Sequence, residues 1–176
     1  MLRNSSPFRS RAAKGFTLIE LMVTLVIGVI IVGVAVAGIK GVFGKSDVST
    51  DIQGIASLQT AAKGLRSKGG YGTSGTNLVP SLIAMGAVPN TLTLSDNNIL
   101  NAWGGSVAVN STGPGFTITS AGIPKDACIE EAATLSLGAL NTKINSSAAV
   151  TGEMTKVAAT AACTSDSNTI VWTSQN

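Results

Sequence analysis

The stretch that decides the fold is KGFTLIELMVTLVIGVIIVGVAVAGIK, Lys14 to Lys40. Between its flanking lysines, Phe16 to Ile39 carry a single charge, Glu20. A helix of about 20 apolar residues covers the roughly 30 Å hydrocarbon core of a bilayer, so residues 16–39 read as a membrane helix. Glu20 is the anomaly. A lone acid in such a segment costs about 2.5 to 3.5 kcal/mol on insertion scales, and its presence implies a partner and a purpose.

A secretory signal does not account for this arrangement. Such a signal places its small-residue cleavage site after a short apolar region, whereas here Gly15 stands before the apolar run and behind a basic leader. Gly15, followed by Phe16-Thr17-Leu18-Ile19-Glu20 and a long apolar helix, resembles the processing signature of type IV prepilins. The resemblance implies cleavage between Gly15 and Phe16, methylation of the new Phe16 amine and retention of the helix. The physics of the arrangement is complementary. Cleavage creates a positive amine one helical turn from Glu20, and in a packed assembly the Glu20 of one subunit meets the terminal amine of its neighbour. Each charge then loses its burial penalty only when assembled, which sets the register. The bland alternative is a plain membrane anchor that tolerates Glu20.

Composition bounds the rest. The 176 residues suffice for one domain besides the anchor, and the mix of 44% apolar, 4% aromatic and 12% charged residues with 20 Gly suits a small, loop-rich exported domain. The formal charge of +3 is carried by the leader: without Arg3, Arg9, Arg11 and Lys14, eight basic side chains face nine acidic ones. Nucleic acid is therefore not expected as the main partner. The leader positives stay cytoplasmic and the remainder is exported, so Cys128 and Cys163, the only two cysteines, are expected to pair in an oxidising compartment. Closing that loop stabilises the head by roughly 4 kcal/mol in the chain-entropy model.

Along the chain, residues 1–15 form the leader. Gly33, Ala37 and Gly41 give the membrane helix a small-xxx-small face for close packing. Val48, Ile52, Ile55, Gln59, Ala62 and Leu65 continue a helical stripe, leaving Asp51, Lys63 and Arg66 mostly to other faces, until Gly69-Gly70 stops it. The helix thus runs from 16 to 68, followed by a head domain over 69–176. Within the head, Leu78–Val88 reads as a short helix, and 106–111 with 116–121 as a hairpin around Thr112–Gly115. A helix starts at Pro124 and runs through about Leu137, while Asn141–Met154 carries weak signals and Asn168–Thr173 forms the last strand. The fold class is α+β: a long N-terminal helical stem on a small antiparallel-sheet head with a C-terminal disulfide loop.

Catalysis is not expected. There is no histidine, paired cysteines leave no thiol, and the Gly-rich run 69–75 lacks the Lys-Ser/Thr of a phosphate loop. Asp126, Glu130 and Glu131 read as acids at a helix N-terminus rather than as a cation site, so no metal and no cofactor is assigned. Asn110 and Asn145 begin Asn-x-Ser/Thr triplets that indicate exposed surface; Trp103 and Trp172 read as core.

The prepilin resemblance extends these readings. Type IV pilins have a C-terminal disulfide loop that forms much of the pilus surface, and a helix between strand pairs is similar to the type IVb branch, including thin conjugative pili. Phe16 as first residue is more usual of the type IVa branch. Many relatives bend the stem with a proline near position 37, where this chain has Ala37 and relies on glycines. The resemblance implies self-polymerisation into a surface filament for adhesion, aggregation or mating contact. It also implies a prepilin peptidase that methylates, an assembly ATPase with an inner-membrane platform, and an outer-membrane secretin. The precursor would sit in the inner membrane of a Gram-negative bacterium with its head in the periplasm. Two other functions fit the same residues: a pseudopilin of a type II secretion system, and a monomeric membrane-anchored binding protein in which Glu20 is dispensable.

Overall fold

The computed structural model describes residues 18–175, with the side chains of 28–43 and of Gln175 outside the description. The chain divides into two compact units, Met1–Gly41 and Val42–Asn176. Helix α1 spans Leu18–Lys63. In the second unit follow α2 (Val79–Ala84), β1 (Thr93–Ser95), β2 (Asn98–Leu100), β3 (Ser106–Ser111), β4 (Gly115–Ile123) and α3 (Lys125–Ser136). Then come β5 (Asn141–Ile144), β6 (Val150–Thr151), α4 (Lys156–Ala162) and β7 (Asn168–Gln175).

All strand pairs are antiparallel, in the order β1-β2-β3-β4-β7-β5-β6. The last strand of the chain therefore lies inside the sheet. Ile118 is opposite Trp172 and Trp172 opposite Thr142, so β7 joins the β4 and β5 halves through side chains on one face. Period-2 alternation sets that face: Val107 and Val109, Phe116 and Ile118, and Ile170 and Trp172 are buried. The helices bury their apolar stripes against the same core, which includes Ile55, Leu58 and Ala62 of α1 and Ala127, Ala132 and Leu135 of α3.

The buried stripe of α1 is rotated from the expected one. Asp51, Gly54, Ile55, Leu58, Gln59 and Ala62 are buried at three- and four-residue steps, whereas Val48, Ile52 and Leu65 pack at its flanks. Gly54 lies at the centre because a Cβ there would stand 2.8 Å from the Leu92 side chain. A bulky apolar residue from the loop occupies the place where a helix side chain would be.

Two helix ends also differ from expectation. α1 stops at Lys63 rather than 68, closed by i→i+3 bonds from the N–H groups of Gly64 and Leu65 to the carbonyls of Ala61 and Ala62 at 3.0 Å. α2 stops at Ala84 rather than Val88, because Gly86 takes a φ of 62° while its N–H and that of Ala87 donate to Ile83 and Leu82. That left-handed glycine cap ends the helix before Pro89 is reached. The hairpin at Thr112–Gly115 forms where expected, with Thr112 N–H donating to the Gly115 carbonyl at 2.9 Å.

Asn101 anchors the β2–β3 connection. Its Nδ2 donates to Ser120 Oγ at 3.0 Å and the Ala121 carbonyl at 2.8 Å, and its Oδ1 accepts from the Trp103 and Gly105 N–H groups. All of its hydrogen-bonding capacity is used. Gly105 has to lack a side chain, since a Cβ would fall on the Ala121 carbonyl oxygen. Gly105→Ala is expected to destabilise the chain by about 3 kcal/mol, as overpacking against backbone does. A denaturant melt checks this; an unchanged midpoint would mean that the loop relaxes freely.

Candidate functional site

Among the described side chains of the first unit, Glu20 is the one charged group. Gly15 and Phe16, the expected cleavage and methylation positions, lie outside the described residues. Glu20 stands exposed in the first described turn of α1. One turn on, Thr24 Oγ1 donates to the Glu20 and Leu21 carbonyls at 2.9 Å, absorbing its own polarity in the backbone.

Around Glu20 the helix is apolar on every side. Leu18, Ile19, Leu21, Met22, Val23, Leu25, Val26 and Ile27 are all at least 50% exposed. At about 100° per residue these eight surround the axis and leave no polar face for water. Covering each is worth about 1.5–3 kcal/mol, so lipid or protein cover is favoured by more than about 10 kcal/mol in total. Among the described residues no helix is long and apolar enough to cross a membrane. The side chains of 28–43, including the Gly33–Ala37–Gly41 face, lie outside the description.

In the second unit Cys128 and Cys163 form a disulfide with their Cα atoms 6.0 Å apart. Pro124 sets the start of α3, its carbonyl accepting the Cys128 N–H at 2.8 Å, so Cys128 falls in the first turn and faces inward. Cys163 caps α4, whose N-terminus is held by Thr155 Oγ1 accepting the Ala158 N–H. The bond pins α4 to α3 directly before β7. Lys156 and Glu130 add a pair at 2.7 Å on the outer surface, a minor contribution because both are solvent-exposed.

The acids of α3 do not act alike. Asp126 is exposed near the helix start and Glu130 pairs with Lys156, but Glu131 is fully buried and faces the equally buried Asp51 of α1. This corrects two expectations, that Glu131 serves the helix dipole and that Asp51 faces away from the core. Burial, then the charge of Asp51, pushes the Glu131 carboxyl up to about 9. Burial also raises Asp51, against the lowering effect of the Ala102 N–H that donates to its Oδ1 at 2.9 Å. One signal was available in the sequence: Asp51 sits at i−4 from Ile55 and i−7 from Leu58, within the stripe. Trp172 is core as expected, and Trp103 is half-buried at the core's edge. Among the described residues no group of three or more acids or thiols could hold a metal ion.

Comparisons with known proteins fit this geometry. The family model described as the prokaryotic N-terminal methylation motif matches residues 10–36, and that described as PilS N terminal matches residues 45–175. The structure is similar to the crystal structure of TcpA, a type IV pilin from Vibrio cholerae El Tor biotype, with a TM-score of 0.57 at 14% identity. That match covers 74% of this chain and 99% of the other, and at such identity it speaks for the fold alone. It is also similar to the NMR structure of the type IVb pilin PilS from Salmonella typhi, with a TM-score of 0.51 and 28% identity over 76% of this chain and 99% of that one. No curated protein matches the chain.

Proposed function

The chain belongs to the PilS family of type IV pilins, and from that premise we propose that it is a pilus subunit, processed at Gly15 and polymerised through its N-terminal helix. Pilins are structural subunits rather than enzymes. The observation that carries the assembly reading is the exposed apolar surface of Leu18–Ile27 around one carboxylate, within the span of the methylation motif.

Before assembly the apolar helix rests in the inner membrane with its head in the periplasm. During assembly its apolar surface exchanges lipid for neighbouring helices, which keeps the hydrophobic penalty of leaving the bilayer small. Glu20 takes the Phe16 amine of the adjacent subunit as its counter-charge, so a subunit out of register leaves two charges buried and unpaired. A prepilin peptidase that methylates, an ATPase with its inner-membrane platform and an outer-membrane secretin are the partners this route requires. The disulfide-closed head faces outward and makes the adhesive, aggregating or mating contacts.

The test is the intact mass and N-terminal sequence of protein sheared from cells, measured with and without reductant. The expected product begins at methylated Phe16, lacks residues 1–15 and gains the mass of two hydrogens on reduction of Cys128–Cys163. Protein found only in membranes and still carrying the leader would sink the reading in favour of a permanent anchor.

A further inference from the structure

Asp51 on α1 and Glu131 on α3 are brought together only by the fold, and both are fully buried. Asp51 Oδ1 accepts the Ala102 N–H. Asp51 Oδ2 and both Glu131 oxygens receive no hydrogen bond from any protein group that carries a donor. Carboxylates are acceptors only, so two of them facing each other remain unsatisfied until a proton turns one into a donor.

No neighbouring element supplies a counter-charge instead. On α3, Lys125 and Asp126 are exposed, and Glu130 is committed to Lys156 of α4 at the surface. On α1, Lys45, Asp47 and Lys63 are exposed. Lys143 of β5 is exposed, while β7 and the 101–105 loop contain no ionisable side chain. The charge acting on Glu131 is that of Asp51. A metal ion is a poor substitute, because the Ala102 N–H points at the site with a positive dipole and two carboxyl groups supply few ligands.

We infer that Asp51 and Glu131 share a single proton, which latches α3 onto α1 and is released under alkaline conditions. The charge stays on Asp51, where the Ala102 N–H supports it, and Glu131 keeps the proton and donates it to Asp51. Loss of that proton leaves two buried carboxylates facing one another, and the helices are driven apart. This device concerns the head and is independent of how the subunit polymerises.

The pH window follows from the shift. Glu131 is raised from 4.5 to about 9 in the folded chain. Its contribution is therefore complete below the lower value, falls as pH rises between the two, and is exhausted above the upper one. Asp51, raised from 3.8, adds a slope of the same sign at the acid end. The chain has no histidine and its two cysteines are bonded to each other, so apart from its terminal amine no ordinary side-chain group titrates between about 5 and 9. A slope in that window therefore reports this pair.

The experiment is thermal unfolding of the full chain in detergent micelles from pH 5 to 10, followed by tryptophan fluorescence. Infrared spectroscopy of the same samples reads the protonated carboxyl C=O band. The wild-type midpoint is expected to fall by on the order of 10 °C between pH 5 and 9. Glu131→Gln replaces the shared proton with an amide donor; it should flatten the slope, melt above wild type at pH 9 and lose the infrared band present at pH 7. Asp51→Asn should also weaken the slope, since its amide donates to Glu131 while its oxygen keeps the Ala102 bond. A wild-type midpoint flat from pH 5 to 9, or an undiminished slope in Glu131→Gln, overturns the latch. Should both variants fail to fold, the wild-type infrared titration decides: a band persisting well above pH 5 supports the shared proton, and none at pH 7 rejects it.

Discussion

Glu20→Ala is expected to yield a chain that is made, exported and oxidised at Cys128–Cys163 but not recovered as sheared filament. Glu20 lies on the exposed apolar part of α1, remote in sequence from the buried core residues, which among the described side chains begin at Asp51, so its loss is expected to leave the head intact. The defect falls on assembly. On the proposed assembly, loss of the carboxylate would leave the Phe16 amine in a neighbouring apolar surface with no counter-charge. Breaking one side of a buried pair costs about 3–5 kcal/mol, which is roughly a 150- to 5000-fold loss at each subunit contact. Because every subunit repeats that contact, filament yield should fall below detection while membrane-bound protein stays at wild-type level. Quantifying both fractions by immunoblot checks this. Wild-type filament from Glu20→Ala would remove the register role of Glu20 and leave the apolar helix surface alone to carry assembly.

Legibility in the sequence followed the range of the interactions that fix each element. The β3–β4 hairpin could be read because alternation and turn chemistry are local, and α3 because Pro124 and Gly138 bracket its periodic run. β1 and β2 are not legible, since each has three residues and neither gives a measurable period. Their turn carried a usable signal: Asp96 and Asn97 take φ of 47° and 65°, the left-handed pair that a two-residue hairpin needs. β5, β6 and α4 lie in Ser-, Thr- and Ala-rich sequence, and tertiary pairing decides their state. Strand order was out of reach for a different reason. The place of β7 between β4 and β5 depends on contacts with residues up to some 60 positions away, such as Gly115 with Gln175.

The site divided in the same way. Glu20, Cys128 and Cys163 stood out because a charge in an apolar run and a lone pair of cysteines are rare in themselves. Asp51 and Glu131 look like ordinary helix-surface acids until α1 and α3 are packed, and only burial distinguishes Glu131 from Glu130 beside it.

Removing the disulfide is expected to have the largest effect on stability. The Cys128→Ser, Cys163→Ser chain should be less stable by about 4 kcal/mol, the chain-entropy value for a loop spanning a separation of 35 residues. The position of the bond makes this loss consequential. Cys163 precedes β7, which is hydrogen-bonded on both sides and carries the buried Ile170 and Trp172. If β7 detaches, the sheet divides into β1–β4 and β5–β6, and the second piece is a two-stranded remnant with no independent stability. The double variant and the reduced wild type should therefore melt together, both on the order of 15 °C below the oxidised chain. Melts followed by tryptophan fluorescence, with and without reductant, check this. A loss of less than about 1 kcal/mol would mean that β7 holds its place through the sheet alone, and that the bond serves resistance to unfolding outside the cell rather than the equilibrium fold.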